Sequence, residues 1–412
     1  MKIVVIGAQW GDEGKGKIVD YLANEAQIIV RFAGGANAGH TIVIGGEEYA
    51  LHLVPSGVFY PDKIVILGAG MVIDPEALFR EIKMLEDRGI QTKGRIMISD
   101  RAHIVLPRYI KIDKERDAAR KKPIGVTGRG IGITYSMKCE RNGIRIADLA
   151  WKEKMDELEN EDREFLAPFI DRLLEMSVNL SEYLMHRKNS QVVFEGAQGT
   201  LLDLDLGTYP FVSSGMSCAA GAATGGCIGP RAIDKVLGVF KAYSTRVGHG
   251  PLPSEFDPDT EDELCRFVRE TGREYGVTTG RPRRCGYLDL VSLRYACLTN
   301  SIDSLVMTHL DVYDTFEEIK ACIAYQIDDK RVETFPASIE ELNRAKPVLR
   351  TFPGWKKNLS DSLVYEDFPV AAMEYIEFIE RYCETPIDIV SVGYERKATI
   401  IRKSPWRPNV HP

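Results

Sequence analysis

Residues 11–17 read Gly-Asp-Glu-Gly-Lys-Gly-Lys, directly behind the β-branched run Ile3–Ile6 and ahead of Ile18–Asn24, which has the make-up of a helix. A strand, a glycine-rich turn and a helix N-terminus in that order gather backbone N–H groups around phosphate oxygens. The glycines let the backbone approach an anion closely, and Lys15 and Lys17 add positive charge. The spacing from Gly11 to Lys17 also satisfies G-x-x-x-x-G-K, after which a Ser or Thr usually holds Mg²⁺. Here the next residue is Ile18. A metal ion at this loop therefore needs another ligand, and Asp12 is the carboxylate at hand. An aspartate inside a phosphate loop repels a triphosphate unless a cation lies between them. It is more useful facing a substrate that must lose a proton.

The elements that must hold this loop are legible as short apolar runs. Besides Ile3–Ile6 they are Ile28–Phe32, Lys63–Leu67, Arg95–Ser99, Gln191–Phe194, Val236–Val239, Ser304–Thr308 and Ile387–Val392. Runs without polar alternation fit strands buried on both faces. Charged amphipathic segments lie between them, including Pro75–Arg88, Ala150–Leu184 and Thr260–Glu270. Strands alternating with helices predict an α/β fold, with a large, mostly parallel central sheet flanked by helices and a P-loop-like phosphate loop after the first strand. Sites in such sheets sit at the carboxyl ends of the strands. No repeat or linker divides the chain, so residues 1–412 read as a single domain with helical insertions at about 75–190. The mixed-sign stretch Asp148–Glu164 reads as a solvated helix face.

Composition narrows the function classes. With 412 residues, 44% hydrophobic and 27% charged, the chain is an ordinary globular one. Its net charge of −7 disfavours non-specific nucleic-acid binding, which needs a net basic face. The eight cysteines form no CxxC pair, which disfavours a zinc or redox site and suits a reducing, cytoplasmic setting. No apolar run approaches the ~20 residues of a membrane span, and MKIVVIG reads as a buried strand, not a signal peptide.

Gln9-Trp10 followed by Gly11–Lys17 resembles the signature of the adenylosuccinate synthetase family. Further blocks of that family follow in order: Gly34-Gly35-Ala36-Asn37-Ala38-Gly39-His40-Thr41, Gly125–Gly132, Glu195–Thr200, Tyr243–Gly248 and Val277–Arg281. The resemblance implies a ligase that joins IMP to L-aspartate, with GTP converted to GDP and phosphate by way of 6-phosphoryl-IMP. This is the first committed step from IMP toward AMP in purine nucleotide biosynthesis. It also implies Mg²⁺, held by Asp12 and the Gly39 carbonyl.

Matched position by position, Asp12 is the base that takes the hypoxanthine N1 proton, a task a carboxylate within hydrogen-bond reach performs. His40 is the general acid, suited to it by a side-chain pKa near neutrality, and Gln198 steadies charge on O6. GTP is implied at Gly11, Asp12, Glu13, Gly14, Lys15, Gly16 and Lys17, at Gly39, His40 and Thr41, and at Arg283. Its base is implied at His309, Leu310 and Asp311 and at Ser391, Val392 and Gly393. An aspartate accepts hydrogen bonds from guanine N1–H and the 2-amino group, which adenine cannot offer. IMP is implied at Asp12, Glu13, Gly14, Lys15, Asn37, Ala38, Gly39, His40, Thr127, Gln198, Ser213 and Arg281. Arg141 reaches IMP from a partner subunit, so the expected unit is a homodimer. Aspartate is implied at Val277, Thr278, Thr279, Gly280, Arg281, Pro282 and Arg283. Arginine grips a carboxylate with two parallel hydrogen bonds, and the crowding of Arg281, Arg283 and Arg284 is unfavourable without an anion.

The chain departs from the family pattern in places. His309 stands where lysine is usual, Ser213 where threonine is common, and Val392-Gly393-Tyr394-Glu395-Arg396 where a glycine–proline turn is frequent. His249 has no role in this reading. Two alternatives were weighed. A regulatory GTPase calls for Ser or Thr after Lys17 and leaves the 277–283 loop unexplained. A relative acting on a guanine nucleotide such as dGMP calls for loss of the loop aspartate, which is present as Asp12.

Overall fold

A computed structural model of the chain describes residues 1–44, 46–120, 126–276, 280, 282–362 and 364–407. The β-branched runs form one ten-stranded sheet. In chain order its strands are β1 (Lys2–Gly7), β2 (Ile28–Arg31), β3 (Ile64–Leu67), β4 (Ile96–Ser99), β5 (Ser177–Val178), β6 (Val192–Glu195), β7 (Lys235–Lys241), β8 (Ser304–Thr308), β9 (Ile387–Ser391) and β10 (Thr399–Ile401). Their spatial order is β10-β9-β8-β7-β1-β6-β2-β3-β4-β5. Only the edge pair β9–β10 is antiparallel. Val4 of β1 lies level with Phe194 of β6 and Val236 of β7, which fixes the centre of the sheet.

Alternation along β1 splits the core into two layers. Ile3 and Val5 pack with Ile18, Val19 and Leu22 of the helix α1 (Lys15–Ala23). Val4 and Ile6 face the other way, into a layer with Phe194, Phe240 and Leu293. Ile3, Val4, Val5 and Ile6 are fully buried. Burial of such side chains is worth roughly 1.5–3 kcal/mol each, which explains why these runs carry no polar alternation. A second, mostly antiparallel sheet (288–289, 318–327, 330–332, 346–353) lies outside the main one.

The expected strands appear within a residue or two of their expected bounds. The expected helix over 150–184 does not form as one piece. It is cut into Lys152–Asp156, Asn160–Leu166, Ile170–Met176 and Leu180–Met185. Ala167 still closes the second of these helices, its N–H donating to the Arg163 carbonyl at 2.9 Å, and Pro168, which has no N–H, follows at the break before Ile170. The 75–190 stretch is also more than helical insertion, since it supplies β4 and β5 to the main sheet. Among the described residues no helix is long and apolar enough to cross a membrane.

Candidate active site

The carboxyl ends of β1, β2, β6, β7, β8 and β9 open onto one cavity of about 330 Å³. Its floor is the loop between β1 and α1. That loop is shaped from within by Glu13, whose carboxylate is fully buried and accepts from Gln9 N–H at 3.0 Å, Gly11 N–H at 2.8 Å and Lys15 Nζ at 2.6 Å. Gly11 and Gly14 take φ of 101° and 80°, the left-handed region that glycine enters without strain. The side chain of Glu13 therefore serves the loop, which leaves its backbone for any nucleotide. Thr308 Oγ1 at the end of β8 donates to the Glu13 carbonyl at 2.8 Å, fastening the loop to the sheet. Lys17 Nζ donates to Ser391 Oγ and the Gly393 carbonyl, both at 2.7 Å. Burial pushes this ammonium down to about 8, against the opposing pull of Asp311.

One end of the cavity gathers the groups with acid–base chemistry. Asp12 Oδ2 accepts from Thr245 Oγ1 at 2.7 Å and lies 3.2 Å from Arg283 Nε. Its Oδ1 has no hydrogen bond among the described residues. Nearby, Glu274 is fully buried and takes Lys241 Nζ and an Arg283 N–H, each at 2.6 Å. Burial alone raises a carboxyl pKa, but Lys241, His309 and Arg283 outweigh it and hold Glu274 at about 2. His40 opens a hairpin strand, 40–44, and its Nε2 lies 3.1 Å from Ser56 Oγ. That hydroxyl donates to Glu195 Oε1 at 2.8 Å, so it takes its own hydrogen bond from His40 Nε2–H. Nδ1 is then the nitrogen without a proton in the neutral ring. Burial, then Arg31, His52 and Lys15, hold the imidazole at about 3, so the ring is neutral at pH 7. This corrects the expectation of a pKa near neutrality, which rested on residue type. The site desolvates the ring among cations, and a bound polyanion reverses that electrostatic term.

The other end is aromatic and carries a single acid. His309, with φ of 58°, sits edge-to-face between Tyr243 and Tyr394, both with ring centroids 5.9 Å away. Burial holds its imidazole at about 4. Asp311 lines the same end with Ser391, Gly393 and Tyr394. Burial raises the Asp311 carboxyl, while Lys17 lowers it. Arg273 packs on the Tyr394 ring at 4.5 Å from its centroid.

The cavity thus brings together Gly11, Asp12, Gly14, Lys15, Gly16, Lys17, Ala38, Gly39, His40, Thr41, Gln198, Arg283, His309, Asp311, Ser391 and Gly393 of the expected site. Leu310 and Val392 are buried and offer only backbone. Asn37, Thr127, Ser213 and Arg141 do not line it. Asn37 Oδ1 instead accepts from Gly35 N–H at 3.1 Å, and Arg129 ties the 127 loop to the Ala36 carbonyl. Thr127 and Arg141 are exposed. Gly280 is exposed, and Pro282 bridges to Tyr275. Val277, Thr278, Thr279 and Arg281 lie outside the described residues.

Sequence reasoning missed Arg31, Ser56, Glu195, Lys241, Thr245, Glu274 and Tyr394 as parts of the site. Glu195 and Thr245 do stand inside the quoted family blocks, but nothing local marks Lys241 or Glu274. No group of three or more His, Cys, Asp or Glu among the described residues could hold a metal. That donor set still suits Mg²⁺, which keeps waters and phosphate oxygens and needs one or two carboxylates. Asp12 offers a carboxylate oxygen without a hydrogen bond among the described residues, and Gly39 lines the same cavity.

An open α/β sheet, an anion-binding loop and a purine-sized aromatic end carrying one acid define a nucleotide-dependent enzyme. Comparison with known proteins narrows this class. The family profile described as adenylosuccinate synthetase matches residues 4–400. An adenylosuccinate synthetase of Clostridium novyi is 46% identical, over 97% of this chain and 98% of its own length. One of Caldanaerobacter subterraneus is 44% identical, over 97% and 99%. The structure of a fully ligated adenylosuccinate synthetase from Plasmodium falciparum superposes with a TM-score of 0.90 at 37% identity, covering 97% of this chain and 99% of that one. A cyanophage S-2L succinoaminodeoxyadenylate synthetase, bound to dGMP and dATP, superposes with a TM-score of 0.64 at 18% identity, a likeness of fold alone. The chain belongs to the adenylosuccinate synthetase family. It is a GTP-dependent ligase of purine biosynthesis that forms adenylosuccinate from IMP and aspartate.

Proposed function

We propose that the two ends of the cavity divide the reaction between them. Guanine lies at the aromatic end, its N1–H and 2-amino group donating to Asp311. Its phosphates lie along the 11–17 loop, where α1 presents backbone N–H groups and Lys17 adds charge. The Asp12 carboxylate and the Gly39 carbonyl would hold Mg²⁺, whose charge would offset that of the phosphates.

IMP lies at the other end, against Gln198; the family resemblance also assigns Asn37, Thr127, Ser213 and Arg281 to IMP, and Arg141 of the partner subunit to its phosphate. Asp12 takes the N1 proton, so the electron pair on O6 attacks the γ-phosphorus. The O6–P bond forms, the bond to the β-phosphate oxygen breaks, and GDP leaves. Aspartate, gripped by the 277–283 loop, then attacks C6 through its amine. The C6–O6 bond breaks, phosphate departs and the amine loses a proton. His40 donates to phosphate oxygens in both steps, with Ser56 and Glu195 orienting the ring.

The observation that supports this reading is the presence of Asp12, His40 and Asp311 on one cavity wall system, although they come from distant parts of the chain. The test mixes protein, GTP, Mg²⁺ and IMP and records the ultraviolet difference spectrum with and without L-aspartate. An aspartate-dependent shift to adenylosuccinate, with one phosphate released per product, is expected. GTP hydrolysis indifferent to IMP and aspartate overturns the proposal.

A further inference from the structure

Around Asp12 and Arg283 the structure closes a ring through Thr245, Lys241 and Glu274, three side chains that the reaction as described does not use. Lys241 Nζ donates to Thr245 Oγ1 at 2.8 Å and to Glu274 Oε1 at 2.6 Å. Thr245 Oγ1 in turn donates its hydroxyl hydrogen bond to Asp12 Oδ2 at 2.7 Å. Glu274 Oε2 accepts from Arg283 at 2.6 Å, and Arg283 Nε returns to Asp12 Oδ2 at 3.2 Å. The charges balance, two carboxylates against two cations. Lys241 and Thr245 are each only 1% exposed, and Glu274 is fully buried. They reach the cavity through Asp12 and Arg283, which line it.

The fold sets this geometry. Strand 244–246 pairs antiparallel with 284–286, with Arg246 level with Arg284, which brings Thr245 and Arg283 to the same place. Arg283 N–H donates to the Glu274 carbonyl at 2.9 Å, fixing the turn that carries Glu274. Lys241 is the last residue of β7, and its backbone N–H donates to Gln9 Oε1 at 2.9 Å, beside the phosphate loop. A hydroxyl donor on one carboxylate oxygen selects one rotamer of Asp12 and leaves the other oxygen for a ligand. A buried ammonium behind that hydroxyl fixes which way the hydroxyl points, because an ammonium has only donors to give.

We propose that Thr245 is a positioning residue for Asp12, itself held by Lys241 on Glu274, and that this chain keeps Asp12 Oδ1 aimed at the substrate. The inference rests on Asp12 acting in the reaction. A ring serving stability alone gives a different pattern under substitution. Loss of the hydroxyl in Thr245→Val, which preserves shape, is expected to lower kcat about 10–100-fold, as small misplacements of reacting groups do. The KM values for GTP and IMP should stay within about threefold, since Thr245 does not line the cavity, and the thermal midpoint should stay close to the parent's. Thr245→Ser, which restores the hydroxyl, should recover kcat to within about threefold of the parent, on the scale of that loss.

The experiment measures both variants in the parent and in the Asp12→Asn background. If Thr245 acts through Asp12, Thr245→Val changes the residual rate of Asp12→Asn by less than about twofold, because the two effects are not additive. Parental kcat in Thr245→Val overturns the proposal, as does an equal loss in both backgrounds or a serine variant as slow as the valine one. Parental kcat in Asp12→Asn overturns the role of Asp12 itself, a distinguishable outcome. Lys241→Met on its own strips a buried carboxylate of a partner, so it is made together with Glu274→Gln. A fall in kcat at unchanged KM is expected there too, and a change in KM alone tells against the chain.

Discussion

At the reaction end of the cavity, Asp12, Thr245, Lys241, Glu274 and Arg283 form hydrogen bonds of 2.6 to 2.8 Å among largely buried groups, closed by an ion pair of 3.2 Å between Arg283 and Asp12. At the base end, His309 meets Tyr243 and Tyr394 edge-to-face at 5.9 Å. Ring contacts of this kind are broad in geometry and worth roughly 0.5–1.5 kcal/mol beyond burial. A buried ionic hydrogen bond that loses one partner leaves a charge uncompensated and costs several-fold more. Of the departures from the family pattern, His309 and Tyr394 line the base end.

That contrast breaks first at Asp12. Asp12→Asn keeps the shape and removes the base, so kcat should fall by about 10³-fold, within the range general-base catalysis contributes. An initial-rate loss smaller than tenfold would return Asp12 to an ordinary loop residue. Asp311→Asn comes next. Losing charge-assisted acceptance from the guanine edge should raise the GTP KM about 10–100-fold, the equivalent of one or two such hydrogen bonds. It should also shrink the preference for GTP over inosine triphosphate, which lacks the 2-amino group. Unchanged discrimination between the two removes Asp311 from base recognition.

A smaller change sharpens the comparison from the aromatic side. His309→Lys, which restores the family residue, should shift the GTP KM by about 2–10-fold with little change in kcat, the scale of one aromatic contact. No shift in KM rules out a contact between His309 and the base. The smallest effect is on stability. His309 is lowered from 6.5 to about 4 and Glu274 from 4.5 to about 2. Both folded-state values lie below the unfolded ones, so each group's stabilisation is complete above its unfolded value and lost as pH falls through the folded one. The base end should therefore loosen first, between pH 6.5 and 4, and the Glu274 ring only between 4.5 and 2. Urea midpoints across pH for the parent and His309→Asn check this, since asparagine also accepts the left-handed backbone there. The variant should lose the slope of the upper window, and the lower window should narrow, because His309 is one of the groups that hold Glu274 down.

The phosphate loop, the glycine-flanked His40 and the eight internal runs of the main sheet were legible because each is a local pattern. A β-branched run buried on both faces carries no alternation, and a loop that wraps an anion needs glycines and cations at close spacing. Asp12, His40 and Asp311 were assigned because they sit in or beside such patterns. The edge strand β10, the second sheet and the hairpin 40–51 carry weaker patterns and emerge only from pairing. Of the three breaks in 150–184, the one before Ile170 carries a local mark, Pro168, while the one at 177–178 arises because those residues pair into the main sheet.

What the amino-acid sequence determined by itself is the chemistry available: a loop that binds phosphate, a carboxylate without a neighbouring Ser or Thr, a histidine after glycines, and a parallel sheet to carry them. Only the tertiary structure decided which groups share a site and in what ionic state. Lys241, Thr245, Glu274 and Arg283 converge on Asp12 because β7 and the 244–246 and 284–286 pair end at the same edge as β1. His40 loses its ordinary pKa because burial beside Arg31 disfavours the charged ring. Both effects depend on distance and desolvation between residues far apart in the chain, and neither quantity is written in local spacing.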